Sequence, residues 1–258
     1  MLVIELTRHS PSAMPLIAEK IKLPPRSLTV VRPRLQRLLA DSLMTCFSTI
    51  INGRAGSGKT TLATDFAHEI GRPVAWYKVD APEVDPYLFF HYFVASIQEK
   101  RPGFGLAHLQ PLLRREEFDE FPRLADAFVY ELLKTDHEPL LIVIEDLHIT
   151  YDTDWVTPFF SRLLPLLPAD VHILITSRTM PPAPLWRMRS KQRLCVIEEP
   201  ELAFTRPEAI ELFQSYGLSC EQAMIALDHT HGRVSALQLC AASLAARRRR
   251  FIQMSSVD

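Results

Sequence analysis

Five stretches of the chain are apolar or β-branched on both alternations: TCFSTIIN (45–52), VAWYKV (74–79), PLLIVIEDLH (139–148), VHILITSR (171–178) and RLCVIEE (193–199). Successive strand side chains point to opposite faces, so such runs predict strands covered on both sides. Between them the spacing becomes helical. TTLATDFAHEI (60–70) has helical intervals and is stopped by Gly71 and Pro73. Residues 86–100 and 119–134 carry the same period, separated by a loop at Pro102, Gly103 and Gly105. WVTPFFSRLLPLL (155–167) reads as a helix with Pro158 in its first turn and Pro165 near its end. From Thr205 onward the pattern is helical throughout: TRPEAIELFQSYG, CEQAMIALDHT and RVSALQLCAASLAARRRR.

Strands that alternate with helices, each strand a solid apolar run, predict an α/β fold. The expected form is a five-stranded, mostly parallel sheet between helices, followed by a small C-terminal helical unit. Residues 1–44, with Pro11, Pro15, Pro24, Pro25 and Pro33, read as a lead-in arm ending in a short helix, RPRLQRLLADSL. Residues 45–200 are then the α/β core and residues 201–258 the helical unit. No internal repeat interrupts this order.

Composition narrows the function classes. The 258 residues are 47% apolar and 23% charged, an ordinary globular balance, and the net charge of −1 supplies no global field toward nucleic acid or an anionic membrane. No apolar run is long enough to span a bilayer, so no membrane association is expected. The opening MLVIEL lacks a basic start and carries Glu5, which argues against a signal peptide. Cys46, Cys195, Cys220 and Cys240 are isolated singles, as expected of thiols in a reducing cytoplasm, and no His/Cys cluster has metal-ligand spacing.

Glycine is scarce, with eight in the chain, yet three fall within GRAGSGKT (53–60). This is the phosphate-binding pattern G-x-x-x-x-G-K-[ST], and it sits between a predicted strand and a predicted helix. The chemistry needs backbone N–H groups turned inward, positive φ angles and no Cβ in the way, with the dipole of the following helix aimed at the same anion. Lys59 would reach the β and γ phosphates of a nucleotide, and the Thr60 hydroxyl would ligate Mg²⁺. IVIED (142–146) supplies the acidic complement, because a carboxylate at a strand tip can hold Mg²⁺ while its neighbour polarises the attacking water. On consecutive strand positions Glu145 and Asp146 would face opposite sides, so their roles divide: Glu145 to the metal, Asp146 to the water. Arg178 closes the next strand, where ligands of such sheets lie. Spacing alone leaves it open between a surface arginine and a γ-phosphate contact.

In order along the chain, IKLPPRSLTVVRPRLQRLL (21–39), the phosphate loop, VAWYKVDAPEVDPYLFFHYFVASI (74–97), LLIVIEDLH (140–148), LITSRTMPP (174–182) and LAFTRPEAIELF (202–213) resemble the nucleotide-binding module of MalT-like regulators. These are LuxR-family, ATP-dependent transcription activators among the signal-transduction ATPases with numerous domains. The resemblance implies that Gly53, Arg54, Ala55, Gly56, Ser57, Gly58, Lys59, Thr60 and Thr61 cradle the phosphates of ATP or ADP. It implies Thr60 and Glu145 at Mg²⁺, Asp146 and Lys59 in hydrolysis, and Arg178 sensing the nucleotide. His148 matches the family's histidine at that strand end, Val31, Arg32 and Pro33 would lie near the adenine, and HGRVSALQL (231–239) resembles the helical lid that closes over the base.

The chain also departs from the family. Glu145 stands where an aspartate is usual, which implies a displaced metal ligand and slow hydrolysis. Arg233 replaces the usual tryptophan in the lid segment. The chain ends at Asp258, without the repeat-built sensor and helix-turn-helix of MalT-like proteins, so sequence-specific DNA binding by this chain alone is not expected. Three functions follow as alternatives: an ATP-dependent switch with weak or regulated hydrolysis that acts through self-association or a regulatory protein; a working ATPase that drives a protein or DNA-transaction partner; and a scaffold that binds no nucleotide. The intact loop argues against the last. RRRR (247–250) fits a solvated helix end, where cations suit the C-terminus, better than a phosphate-binding patch.

Overall fold

A computed structural model describes residues 3–4, 16–26, 30–113, 120–134, 138–191 and 194–255. Asp119 and Arg193, the first residues of a predicted helix and a predicted strand, lie outside the described residues, as does most of the arm before Leu16.

Five strands form one sheet: β1 (Ser48–Asn52), β2 (Val74–Lys78), β3 (Leu140–Glu145), β4 (Val171–Ser177) and β5 (Leu194–Ile197). Their order is β2-β3-β4-β1-β5, and every neighbouring pair is parallel. β1 therefore lies inside the sheet, with Ile50 opposite Ile175 on one side and Val196 on the other. A separate two-residue antiparallel ladder joins Val3–Ile4 to Leu16–Ile17.

The double alternation has the expected consequence. Ile50, Tyr77, Ile142, Ile144, Ile173 and Ile175 face one apolar cluster, while Ile51, Trp76, Leu141, Val143, Leu174 and Ile197 face another. Helix α1 (Pro33–Thr45) and helix α2 (Lys59–Glu69) cover the second face with Leu35, Leu39, Leu62 and Phe66. Helices α3 (Pro86–Gln98), α4 (Phe121–Lys134) and α5 (Val156–Leu163) cover the first. That side is an aromatic stack: Phe93 lies 4.8 Å from Phe128, Phe89 4.6 Å from Trp155, and Phe90 4.6 Å from Phe159, between ring centroids. All are almost wholly buried, so truncating one, as in Phe89→Ala, removes about 3–5 kcal/mol. Asp85 starts α3 by accepting the Leu88 N–H at 3.1 Å, with Pro86 in the first position.

Three boundaries differ from the pattern. α1 runs on to Thr45, so β1 begins at Ser48 rather than at Thr45. α5 stops at Leu163 and continues as a 3₁₀ turn, Leu164–Leu166, because Pro165 has no N–H to extend the α ladder. β5 stops at Ile197, and Glu199–Leu202 forms a short helical turn instead of more strand.

Helices α6 (Arg206–Ser215), α7 (Cys220–Thr230) and α8 (Val234–Ser255) pack round their own cluster of Leu212, Phe213, Ala223, Ala226, Leu237 and Ala241. Val30, from the arm, completes that cluster. No helix among the described residues is long and apolar enough to cross a membrane.

Candidate functional site

The phosphate-loop motif links β1 to α2 at the carboxyl edge of the sheet. The Gly53 N–H donates to the Ser177 carbonyl at 3.1 Å, which ties the start of the loop to the end of β4. Gly56 and Gly58 hold φ of 78° and 86°. Both lie in the left-handed region that the motif requires of glycine. A Cβ on Gly53 would stand 2.9 Å from the Ser57 hydroxyl and 3.1 Å from Leu202. The Ser57 hydroxyl itself is buried and has no hydrogen-bond partner. Lys59, the first residue of α2, is 5% exposed, and its Nζ donates to the Arg54 carbonyl at 3.0 Å. Burial pulls its pKa down, and the charge of Asp146 opposes that shift.

The acids converge on this ammonium. Thr60 Oγ1 donates to Glu145 Oε1 at 2.7 Å, and Glu145 is 5% exposed. Such a hydroxyl–carboxylate pair is the donor set that a hard divalent cation takes. Asp146 does not continue the strand as its pleat position predicted. It turns left-handed, with φ 58° and ψ 36°, and its N–H donates to Thr176 Oγ1 at 2.9 Å. The carboxylates of Glu145 and Asp146 are thus parted by a backbone turn, not by pleat alternation. Asp146 Oδ2 accepts from Arg178 Nη2 at 3.2 Å, and His148 Nδ1 lies 3.7 Å from Oδ1. Burial holds His148 below the ordinary imidazole range; Asp146 opposes this, while Arg178 and Lys59 add to it. Lys59, Thr60, Glu145, Asp146, His148 and Arg178 form one constellation.

Arg32 is 93% buried at the seam between arm and lid, with 7% exposure. Its Nη1 donates to the Leu202 carbonyl at 2.7 Å and its guanidinium lies 5.4 Å from the Phe204 ring centroid. Desolvation lowers its pKa to about 10. Arg32, Val30, Gln36, Thr61, Asp65 and Val234 line a small cavity of about 20 Å³ beside Gly58. Val31 is not in that lining; it is 44% exposed. Arg32 Nη2, Gln36 Oε1 and Asp65 Oδ1 are buried there without hydrogen-bond partners.

The lid rests directly on the loop. The Ser235 N–H donates to the Gly56 carbonyl at 2.9 Å, and Arg233 Nη2 to the Ala55 carbonyl at 3.0 Å. The Glu199 carboxylate accepts from the Arg54 backbone N–H at 3.1 Å and from Arg54 Nε at 3.0 Å. Burial raises the Glu199 carboxyl, but these bonds and the charges of Arg54 and Arg233 outweigh it and hold the group below its ordinary range. A cleft of about 450 Å³ opens here, lined by Arg54, Ser57, Glu199, His231, Arg233 and Val234. Glu199 and Ser235 were not legible as site residues, since no spacing rule connects them to a loop roughly 145 and 179 positions away.

No family model matches the chain. It is 30% identical over 233 residues to the HTH-type transcriptional regulator MalT of Serratia proteamaculans, a match covering 88% of this chain and 25% of the regulator. The MalT of Yersinia pestis is 31% identical over 232 residues, covering 88% and 25%, and that of Vibrio cholerae 27% over 217 residues, covering 82% and 23%. The chain spans about a quarter of the length of these relatives. Among solved structures, a signal transduction ATPase with numerous domains and a tetratricopeptide repeat sensor, from Pyrococcus horikoshii, superposes with a TM-score of 0.56 at 19% identity, over 82% of this chain and 30% of that one. A Walker-type ATPase of Pyrococcus abyssi gives 0.52 at 13% identity, over 88% and 74%. At such identities the superpositions establish the fold alone. The chain has the P-loop NTPase fold and is similar, over most of its length, to about a quarter of each MalT regulator.

Proposed function

We propose that the chain is an ATP-binding switch whose loop and acids also support slow, Mg²⁺-dependent hydrolysis. The observation that carries this reading is the convergence of Lys59, the Thr60–Glu145 pair and Asp146 beside a loop with two left-handed glycines. Gly53 to Thr61 would hold the phosphates, with Lys59 against the outer ones. Thr60 and Glu145 would hold Mg²⁺, which, when bound, neutralises charge on the phosphate oxygens. Asp146 would orient the water, and Arg178 would face the terminal phosphate; Arg32 would border the base. The Asp146 carboxylate is already engaged by Arg178 and close to His148, which favours slow turnover over a motor.

The MalT relatives are transcriptional regulators by name, so the switch would serve transcription, through self-association or a regulatory protein. The expected place is the cytoplasm, where ATP and free thiols coexist. Calorimetric titration with Mg-ATP tests the reading. The protein should bind ATP and Lys59→Ala should abolish binding, because the ammonium is a point charge on the outer phosphates. Equal affinities in the two proteins would sink it.

A further inference from the structure

Two cations bond to consecutive carbonyls of the same loop. Lys59, from the core, donates to the Arg54 carbonyl at 3.0 Å, and Arg233, from the lid, donates to the Ala55 carbonyl, also at 3.0 Å. The next carbonyl, that of Gly56, accepts the Ser235 N–H of the same lid segment. The lid therefore brings a guanidinium to within one residue of the place occupied by the loop's own lysine. Arg233 lies on the rim of the 450 Å³ cleft with Arg54, His231 and the buried, unpartnered Ser57 hydroxyl. Glu199 lies beside both arginines and restrains Arg54.

A lone carbonyl is a weak partner for a guanidinium, which has five donors in a planar fork suited to phosphate oxygens. A phosphate adds charge–charge attraction and can take two parallel N–H bonds from the fork, neither of which a single neutral carbonyl offers. An anion in the loop would thus outcompete the Ala55 carbonyl for Arg233. We propose that Arg233 is a phosphate ligand supplied by the lid, which exchanges the Ala55 carbonyl for the outer phosphates of a bound nucleotide. The assignment rests on the nucleotide reading above and adds a residue to it. It makes lid position depend on the number of phosphates: a triphosphate engages Lys59 and Arg233 together, whereas a monophosphate lies short of Arg233.

The test compares the whole chain with Arg233→Gln and Arg233→Lys, using ATP and AMP as competitors of a fluorescent ATP analogue so that weak AMP binding is still read. Arg233→Gln should weaken ATP binding about tenfold, the low end for a charge-assisted bond, and leave AMP binding within about twofold. Arg233→Lys, which keeps the charge and loses the fork, should fall between. In hydrogen exchange, ATP should slow the Ser235 amide in the parent protein and not in Arg233→Gln. Equal losses for ATP and AMP would make Arg233 a structural contact of the lid, and an unchanged ATP affinity would remove it from the site; either overturns the assignment while the nucleotide reading stands. If the parent protein binds no ATP, both fall.

Discussion

Replacing Gly56 by alanine tests whether the lid bears on the phosphate loop. Gly56 holds φ +78°, and an added Cβ would stand 2.8 Å from Ser235 Cβ and in conflict with Ser235 Oγ. The left-handed conformation costs alanine about 1–2 kcal/mol. The hydroxyl can rotate away, but the Cβ cannot, so the first turn of α8 must shift. That shift takes the Ser235 N–H off the Gly56 carbonyl, a loss of about 1 kcal/mol. The sum, about 2–3 kcal/mol, lowers the unfolding midpoint by about 5–10 °C for a chain of this size. Gly58→Ala is the control. Its φ is +86°, but the nearest atoms to an added Cβ are Val234 methyls at 3.3 and 3.4 Å. It should show the conformational cost with little of the clash. Scanning calorimetry on both proteins reads the difference, expected as Gly56→Ala lower by a few degrees. If the two variants melt within a degree of one another, the contact between lid and loop is absent in solution.

Asp146→Asn should keep ATP affinity and lose most phosphate release, whereas Glu145→Gln should weaken the Mg²⁺ dependence of binding; hydrolysis by Asp146→Asn at the parent rate refutes the division of roles. Glu145→Asp, one methylene shorter, should raise turnover if metal geometry is what limits it, which steady-state phosphate release decides. His172 is buried in β4, its Nε2 2.9 Å from Thr49 Oγ1, and desolvation lowers its pKa to about 4. A histidine whose folded pKa is depressed gives stability that is fully present above the unfolded value near 6.5 and is lost as pH falls through about 4. The loss is about 3 kcal/mol, and the stability difference between the parent and His172→Asn, followed by urea unfolding from pH 7 to 4, should shrink accordingly; a difference constant with pH contradicts it. In a gel-shift assay, any DNA binding by this chain should be non-selective and vanish as salt rises, and sequence-selective binding at raised salt would overturn that expectation.

The strands were legible because burial on both faces makes each an apolar run, and the sheet is wholly parallel because a helix or helix pair lies between most successive strands. The phosphate loop was legible because its backbone needs glycine at fixed offsets. Other parts of the site left no such mark. That Asp146 turns left-handed depends on a hydrogen bond to Thr176, thirty positions away, whereas a strand-end acid carries no local sign of it. Which of Val30 and Val31 faces inward is a matter of phase in a short extended arm, and the structure buries Val30. Glu199 follows β5 in a turn that pattern alone extends as strand. Each of these is set by packing between distant segments, on which single-sequence periodicity is silent.

The seam between arm and lid also has a consequence for synthesis on the ribosome. Arg32 and its acceptor, the Leu202 carbonyl, are 170 positions apart, and Val30 belongs to an apolar cluster whose other members all follow it by a similar interval. At translation rates of about 5–20 residues per second, the arm waits roughly ten to thirty seconds for its partners. During most of that interval β1 waits too, since its sheet neighbours β4 and β5 are made only at residues 171–197, while Val30 and the Arg32 guanidinium stay in water. The arm is then captured last, as the lid helices emerge. Refolding from denaturant begins with both ends present at once, so the order of these steps on the ribosome need not be the order in the test tube.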